Sequence, residues 1–356
     1  MASISKAEIS YLQAGLTSNP PLRADGRALH EFRSISLETG TAPLANGSAH
    51  LNVGKNPHNG GGGTEVLAAA KLEVENVDPG HDEGVDGGRI VCSVSCSPSA
   101  YPHLSMPALD DLQHDMSTIL HQTLAHPSLH PSNLGILAGK KSWLLNLDCV
   151  VLADAGNVYD ALFMAARAAL WDCKVPRTRG VEYKAASGPS QKPAEGGEMD
   201  VDSAALQSGF DTRSIARPVD FELPDYWDEG EILDGRDRWP VCVTLNVAIP
   251  PPPLKPTPVH YLDAILQEEA ATALRLLVVF SFPSGGSSNL QAMRTLGPGE
   301  LDSQQIQDLI IVGFFYLPDF SSGEKYAQKI WDALNDKLKE EDDRRGQKAR
   351  DKFARR

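Results

Sequence analysis

The chain has 356 residues, 41% of them hydrophobic, which is enough material for two domains and a sizeable core. Its formal net charge of −14 argues at first against a nucleic-acid partner, but residues 186–238 hold 13 Asp and Glu against 5 Lys and Arg, so most of the acidity belongs to one stretch. No apolar run nears the roughly 20 residues of a membrane span, the N-terminus lacks a secretory pattern, and five scattered cysteines suit reduced thiols of the cytosol or nucleus.

In chain order, "ISKAEISYLQAG" (4–15) reads as a short amphipathic helix ending at Gly15. Strand-like runs follow at 32–38, 48–54, 65–74 and 89–96, each bounded by turn residues. "NPHNGGGG" (56–63) reads as a lengthened hairpin loop, and residues 109–125 suit a helix that Pro127 stops. "SWLLNLDCVVLA" (142–153) is nearly all apolar, as in a strand buried on both faces, which makes Asp148 a hydrogen-bonded core carboxylate. Residues 154–172 then read as a tight turn and a helix. Asn157 is its N-cap, Asp160 completes an approximate capping box, and Val158, Ala161, Leu162, Ala165, Ala168 and Ala169 form one apolar face.

The acidic stretch 186–238 cannot bury much and reads as a partly disordered insertion. Strand signals resume at 239–249. The proline-rich run 250–258 suits a stiff hairpin extension, and strands follow at 259–263, 275–282 and 290–295. A helix or helix pair fills 302–340, and the tail 341–356 is charged on all sides, as a frayed, solvated end would be. Metal-binding patterns are poor. Cys92 and Cys96 stand without a second pair, and Pro127 and Pro131 separate His121, His126 and His130. The carboxylates Asp263, Glu268 and Glu269 do gather in "YLDAILQEEA", just before a buried strand, with Arg275 close behind.

Four stretches in order, "LRADGR" (22–27), "NGSAHLNVG" with "TEVLAAAKLEV" (46–54, 64–74), "DAGNVYDALFMAARAALWDCKVP" (154–176) and "YLDAILQEEA" (261–270), resemble the RNase PH superfamily and, within it, the ring subunits of the eukaryotic RNA exosome. The resemblance runs from about residue 20 to 340. It implies an α/β (α+β) RNase PH-like fold in two mixed-sheet halves with packed helices, the first half like ribosomal protein S5 domain 2. The expected divisions are an N-terminal helix (1–20), a first half (21–180), the insert (186–238), a second half (239–340) and the tail (341–356). The resemblance also implies a six-membered ring with a central RNA channel. Its partners would be other RNase PH-like subunits, S1/KH-domain cap proteins, an associated processive exoribonuclease and RNA, with no membrane. The nucleus, nucleolus and cytoplasm are the expected locations, and no cofactor or metal is expected.

Active members of that superfamily are phosphorolytic 3′-exoribonucleases, which need an anion site for phosphate and acids to organise a metal or protonate the leaving oxygen. Where they carry an Arg in the turn before the long helix, this chain has Ala155-Gly156-Asn157-Val158, and Val158 supplies no positive charge. Where they carry a Glu-Asp pair and, after five residues, another Asp, Glu268-Glu269 match the pair and Arg275 replaces the second acid. Two like charges about 4 Å apart at an effective dielectric near 20 repel by roughly 4 kcal/mol, so Arg275 disfavours a metal there. Arg275 is expected instead to pair with Glu268, Glu269 or Asp263. Where active members carry arginines ahead of the 109–125 helix, the stretch 104–116 into that helix carries Asp110, Asp111 and Asp115 and no Lys or Arg, which leaves Lys140, Lys141 and Arg294 as RNA-contact candidates. The expectation is therefore a non-catalytic ring subunit with degenerate positions Asn157, Val158, Glu269 and Arg275. The alternative is an active phosphorolytic enzyme whose site is shared across a ring interface.

Overall fold

The alternating runs of the first half form one six-stranded sheet in the computed structural model, which describes residues 4–55, 62–77, 88–181, 220–224, 230–249, 259–272, 274–283, 288–299, 303–310 and 323–354. After α1 (Lys6–Leu16) come β1 (Ile35–Thr39), β2 (Gly47–Val53), β3 (Thr64–Asn76), β4 (Arg89–Cys96), α2 (Met106–Leu124), β5 (Gly135–Leu137) and β6 (Lys141–Ala153). The order is β1-β2-β3-β6-β4, with β5 on β6, and β4 runs parallel to β6 while the other pairs are antiparallel. Parallel neighbours need a crossover, and α2 supplies it. Leu109, Met116, Ile119, Leu120 and Leu124 of α2 are buried, and α2 packs on β4.

The helix α3 (Val158–Asp172) follows, then β7 (Lys174–Val175), β8 (Arg179–Val181), β9 (Asp220–Glu222) and β10 (Glu231–Ile232). The second sheet takes β11 (Val241–Ala248), β12 (Val259–Tyr261), β13 (Leu274–Ser281) and β14 (Asn289–Leu296) in the order β12-β11-β13-β14, all antiparallel. Between β12 and β13 lies the short α4 (Leu266–Ala271), and α5 (Ser303–Ile310) and α6 (Gly323–Ala354) close the chain.

Three expectations change here. First, α3 is buried on every side from Val158 to Trp171, not along one face. It packs on β2, β3 and β6 of the first sheet and on β11 of the second, so no side faces water. Second, β6 alternates. Trp143, Leu145, Leu147, Cys149 and Val151 point inward, and Asp148 is exposed, accepting a hydrogen bond from Ser93 Oγ. The strand buried on both faces is β11, whose eight residues are all buried. Third, the tail is helical to Ala354 and docked. Asp342 accepts from Trp171 Nε1 (3.0 Å), and Arg345 pairs with Asp172.

The acidic stretch is also partly built into the fold. Its residues 186–219 and 225–229 lie outside the described residues, as do 56–61 and 250–258. The remainder ties back to the body: β9 pairs with β8, β10 pairs with β7, and Asp234 accepts from Ser132 Oγ (2.5 Å). All five cysteines are buried and free. Among the described residues, no helix is long and apolar enough to cross a membrane.

Candidate functional site

Two buried acids and three arginines converge where the turn before α3 meets the segment between β12 and α4. Arg23 and Arg27 come from "LRADGR", and Arg33 lies six residues after it. Arg23, whose side chain is fully buried, donates from Nε and Nη2 to both oxygens of Glu268 (3.1 and 2.6 Å), and Nη1 reaches the Leu262 carbonyl (2.9 Å). Such a two-pronged contact fixes geometry as well as charge. Arg27 Nη1 donates to Asp263 Oδ2 (2.8 Å). Arg33 holds the same carboxylate through Nη2 (2.7 Å), Nε (2.9 Å) and its backbone N–H (2.7 Å).

Asp263 is fully buried and adopts a left-handed backbone (φ 47°), which aims its carbonyl at Arg23 Nη2 (2.7 Å) and Arg27 Nη2 (3.0 Å). Aspartate is among the few residues that tolerate that conformation. Burial alone would push its carboxyl up, but Arg33 and Arg27 hold it below the ordinary aspartate value.

The turn before α3 joins the same knot. Arg33 Nη1 and Nη2 donate to the carbonyls of Ala155 (3.0 Å) and Gly156 (2.9 Å), and Thr64 Oγ1 also donates to Gly156 O (2.6 Å). Asn157 takes the N-cap position, but its backbone is left-handed (φ 60°) and its side chain makes no capping bond. Its Nδ2 donates to Asp263 Oδ1 (3.1 Å) instead, which corrects the expected cap. Asp160 does not complete a capping box either. It is fully buried, accepts from Thr244 Oγ1 on β11 (2.7 Å), and burial pushes its carboxyl up to about 7.

Glu269 sits at the N-terminal end of α3. Its Oε1 accepts the backbone N–H of Asn157 (2.7 Å), and its Oε2 pairs with Arg275 Nη1 (3.2 Å). The expected ion pair of Arg275 is thus made with Glu269. Burial raises the Glu269 carboxyl and nearby Asp154 adds to this, while Arg275 opposes both. A helix N-terminus attracts anions through its unsatisfied N–H groups and dipole, and here a side chain of the chain itself supplies the negative charge. Val158, first residue of α3, is buried and contributes only packing.

The basic candidates do not converge. Lys140 ends the turn before β6 and Lys141 opens β6 in the first sheet, whereas Arg294 lies on β14 of the second. Lys141 Nζ binds Asp220 (3.1 Å) and lies over the Phe221 ring. Arg294 binds Asp115 (2.6 Å), which also accepts from Tyr159 Oη (3.1 Å). The histidines have separate tasks: His121 Nδ1 accepts from Cys92 N (3.3 Å), His126 contacts Ser128, and His130 contacts the Gly88 carbonyl. Among the described residues, no group of three or more His, Cys, Asp or Glu could hold a metal ion.

Sequence reasoning missed Arg23, Arg27 and Arg33. A weak signal was present for Arg23 and Arg27, since their segment and that of the acids are both among the four that carry the resemblance, with opposite charges; Arg33 lies outside all four. Nothing local pairs residues some 240 positions apart.

The arrangement of two sheets around a buried helix is an RNase PH-like fold. Residues 31–176 match the model of the 3′ exoribonuclease family, domain 1, and the chain carries an RNase PH domain. The ring-subunit type it resembles is ribosomal RNA-processing protein 42, and the relatives agree. A Dictyostelium discoideum protein described as "Putative exosome complex exonuclease RRP42" is 25% identical over 87% of this chain and 93% of its own length. The exosome complex component Rrp42 of Thermoplasma volcanium is 33% identical over 46% of this chain, a match spanning 59% of that relative. Among solved structures, the Archaeoglobus fulgidus exosome with RNA bound to the active site superposes with a TM-score of 0.55 at 20% identity, covering 85% of this chain and 92% of that one. An archaeal exosome core gives the same TM-score and identity over 92% and 96%. At that identity the likeness establishes the fold.

Proposed function

We propose that the chain is a non-catalytic subunit of an RNA exosome ring, supporting 3′–5′ RNA processing and turnover, ribosomal RNA maturation included, by helping to form the central channel. The observation that carries this reading is the commitment of the candidate acids. Asp263 is held by Arg27 and Arg33, Glu268 by Arg23, and Glu269 by Arg275 and the α3 terminus. Carboxylate oxygens already taken up by guanidinium and backbone N–H donors have few lone pairs left to offer a metal. The position that would hold a phosphate in an active relative lacks an Arg at Val158 and already faces Glu269.

The names of the Rrp42 relatives and the RNase PH domain support placement in a ring. In that role the neighbours are other RNase PH-like subunits, S1/KH-domain cap proteins and a processive exoribonuclease, RNA passes through the channel, and the subunit works in the nucleus, nucleolus and cytoplasm. Native mass spectrometry of the complex purified through this chain tests the placement. One copy in a six-membered RNase PH-like ring is expected, and a stable monomer without such partners would contradict it.

A further inference from the structure

Beyond the ring role, an apolar groove separates β1 from α6. Strand and helix run alongside each other: Ile330 lines the groove with Phe32, and further on Arg345 Nη1 reaches Thr39 Oγ1 (3.4 Å). The groove encloses about 370 Å³, its walls made largely by Ile35, Leu37, Ile330 and Leu334. Ile35 is 41% exposed. Among the described residues, the charged side chains lining it are Lys329 and Lys337, both on α6. In a chain with 47 acidic and 33 basic residues, an all-lysine rim on an apolar floor is a selective feature. Lys337 has a local partner in Glu340 (2.9 Å), and Lys329 Nζ lies over the Tyr326 ring (5.9 Å).

One wall is also a sheet edge. β1 pairs with β2 on one side, and among the described residues no strand takes the other. An extended segment can add to such an edge through backbone hydrogen bonds, with alternate side chains reading the adjoining pocket. The lysines stand eight residues apart, about 12 Å along a helix. Two side chains four residues apart on a strand are separated by about 13 Å and share a face. An acid-x-apolar-x-acid pattern therefore fits both the floor and the two rim charges.

We propose that this groove docks an extended segment of a partner protein of the pattern acid-x-apolar-x-acid, added along β1, with its apolar residue over Ile35 and Ile330 and its carboxylates on Lys329 and Lys337. A lipid or a small amphiphile would use the floor and the charge but leave the strand edge idle.

The test is fluorescence anisotropy on the full-length chain with two fluorescein-labelled peptides, one carrying Glu-Thr-Leu-Thr-Glu and the other Lys-Thr-Leu-Thr-Lys. The acidic peptide is expected to bind at least tenfold tighter at low salt, and the preference to invert in the double variant Lys329→Glu, Lys337→Glu. Ala333→Trp, which fills the groove, should abolish binding of the acidic peptide while circular dichroism reports a folded chain. Binding of both peptides alike, binding of neither, or acidic-peptide binding that survives both variants would each overturn the proposal.

Discussion

Asp263→Asn is expected to remove 3–5 kcal/mol of stability, about the cost of breaking a buried charge network from one side. Asparagine tolerates the left-handed backbone and keeps the shape, so the loss reports charge rather than packing. Arg27 and Arg33 would be left facing a neutral amide in a site with little water. Urea unfolding at pH 7 should show a lower midpoint with an unchanged slope.

The pH dependence gives this result a second signature. The folded Asp263 carboxyl lies below its ordinary value of 3.8, so its contribution is fully present above that value. The stability gap between the two proteins should stay constant from pH 7 down to about 4. Below that it should close as the natural chain loses the charge. A gap under 1 kcal/mol at pH 7 would mean that the arginines find other partners and that the knot is dispensable.

Gly156→Ala is expected to be at least as damaging, through the backbone. Gly156 has φ 97°, and a Cβ there would lie 2.4 Å from the Ala264 carbonyl oxygen and 2.8 Å from the Ile265 carbonyl carbon. A positive φ costs an alanine about 1–2 kcal/mol by itself. Relieving the clash requires one main-chain segment to move, because neither neighbour is a flexible side chain. The segment that moves carries the bonds of the site: Leu266 N–H to Ala155 O (3.2 Å), Arg33 to Gly156 O, and Asn157 to Asp263. We expect a combined loss of roughly 3 kcal/mol or more. Hydrogen exchange should show the α4 amides opening first while the centre of α3 stays protected. Uniform protection with no loss of stability would mean that the two segments do not touch as described.

Much of the fold was legible because it follows period and punctuation. The strand runs of the first half became β1 to β4 within three residues, and the small-residue helix became α3. What failed were properties that depend on distant partners. The burial of α3 on every side needs a second sheet some 80 residues later, and the exposed face of Asp148 needs that side of the first sheet to be left uncovered. α4 has six residues between two strands, too few for a helical period to register. The tail looked solvated because a run of charges says nothing about Asp172 and Trp171 waiting to receive it.

At the site, the sequence pointed to the acids and to Arg275, and the ion pair with Glu269 is there. Which positive charge serves Asp263 and Glu268 could not be read from the neighbourhood of either acid. Val158 in place of an Arg suggested a turn without cations. Arg33 in fact packs against that turn, but Asp263 holds it, so the charge is present and already used.

The most direct measurement is phosphate-dependent release of nucleoside diphosphates from a uniformly labelled RNA, with the full-length chain alone and in a ring reconstituted with its partners. A subunit whose acids are committed to arginines should release none alone, and Glu269→Ala should leave any activity of the ring unchanged. Phosphate-dependent release that Glu269→Ala abolishes would make Glu269 part of a working site and would contradict the non-catalytic reading.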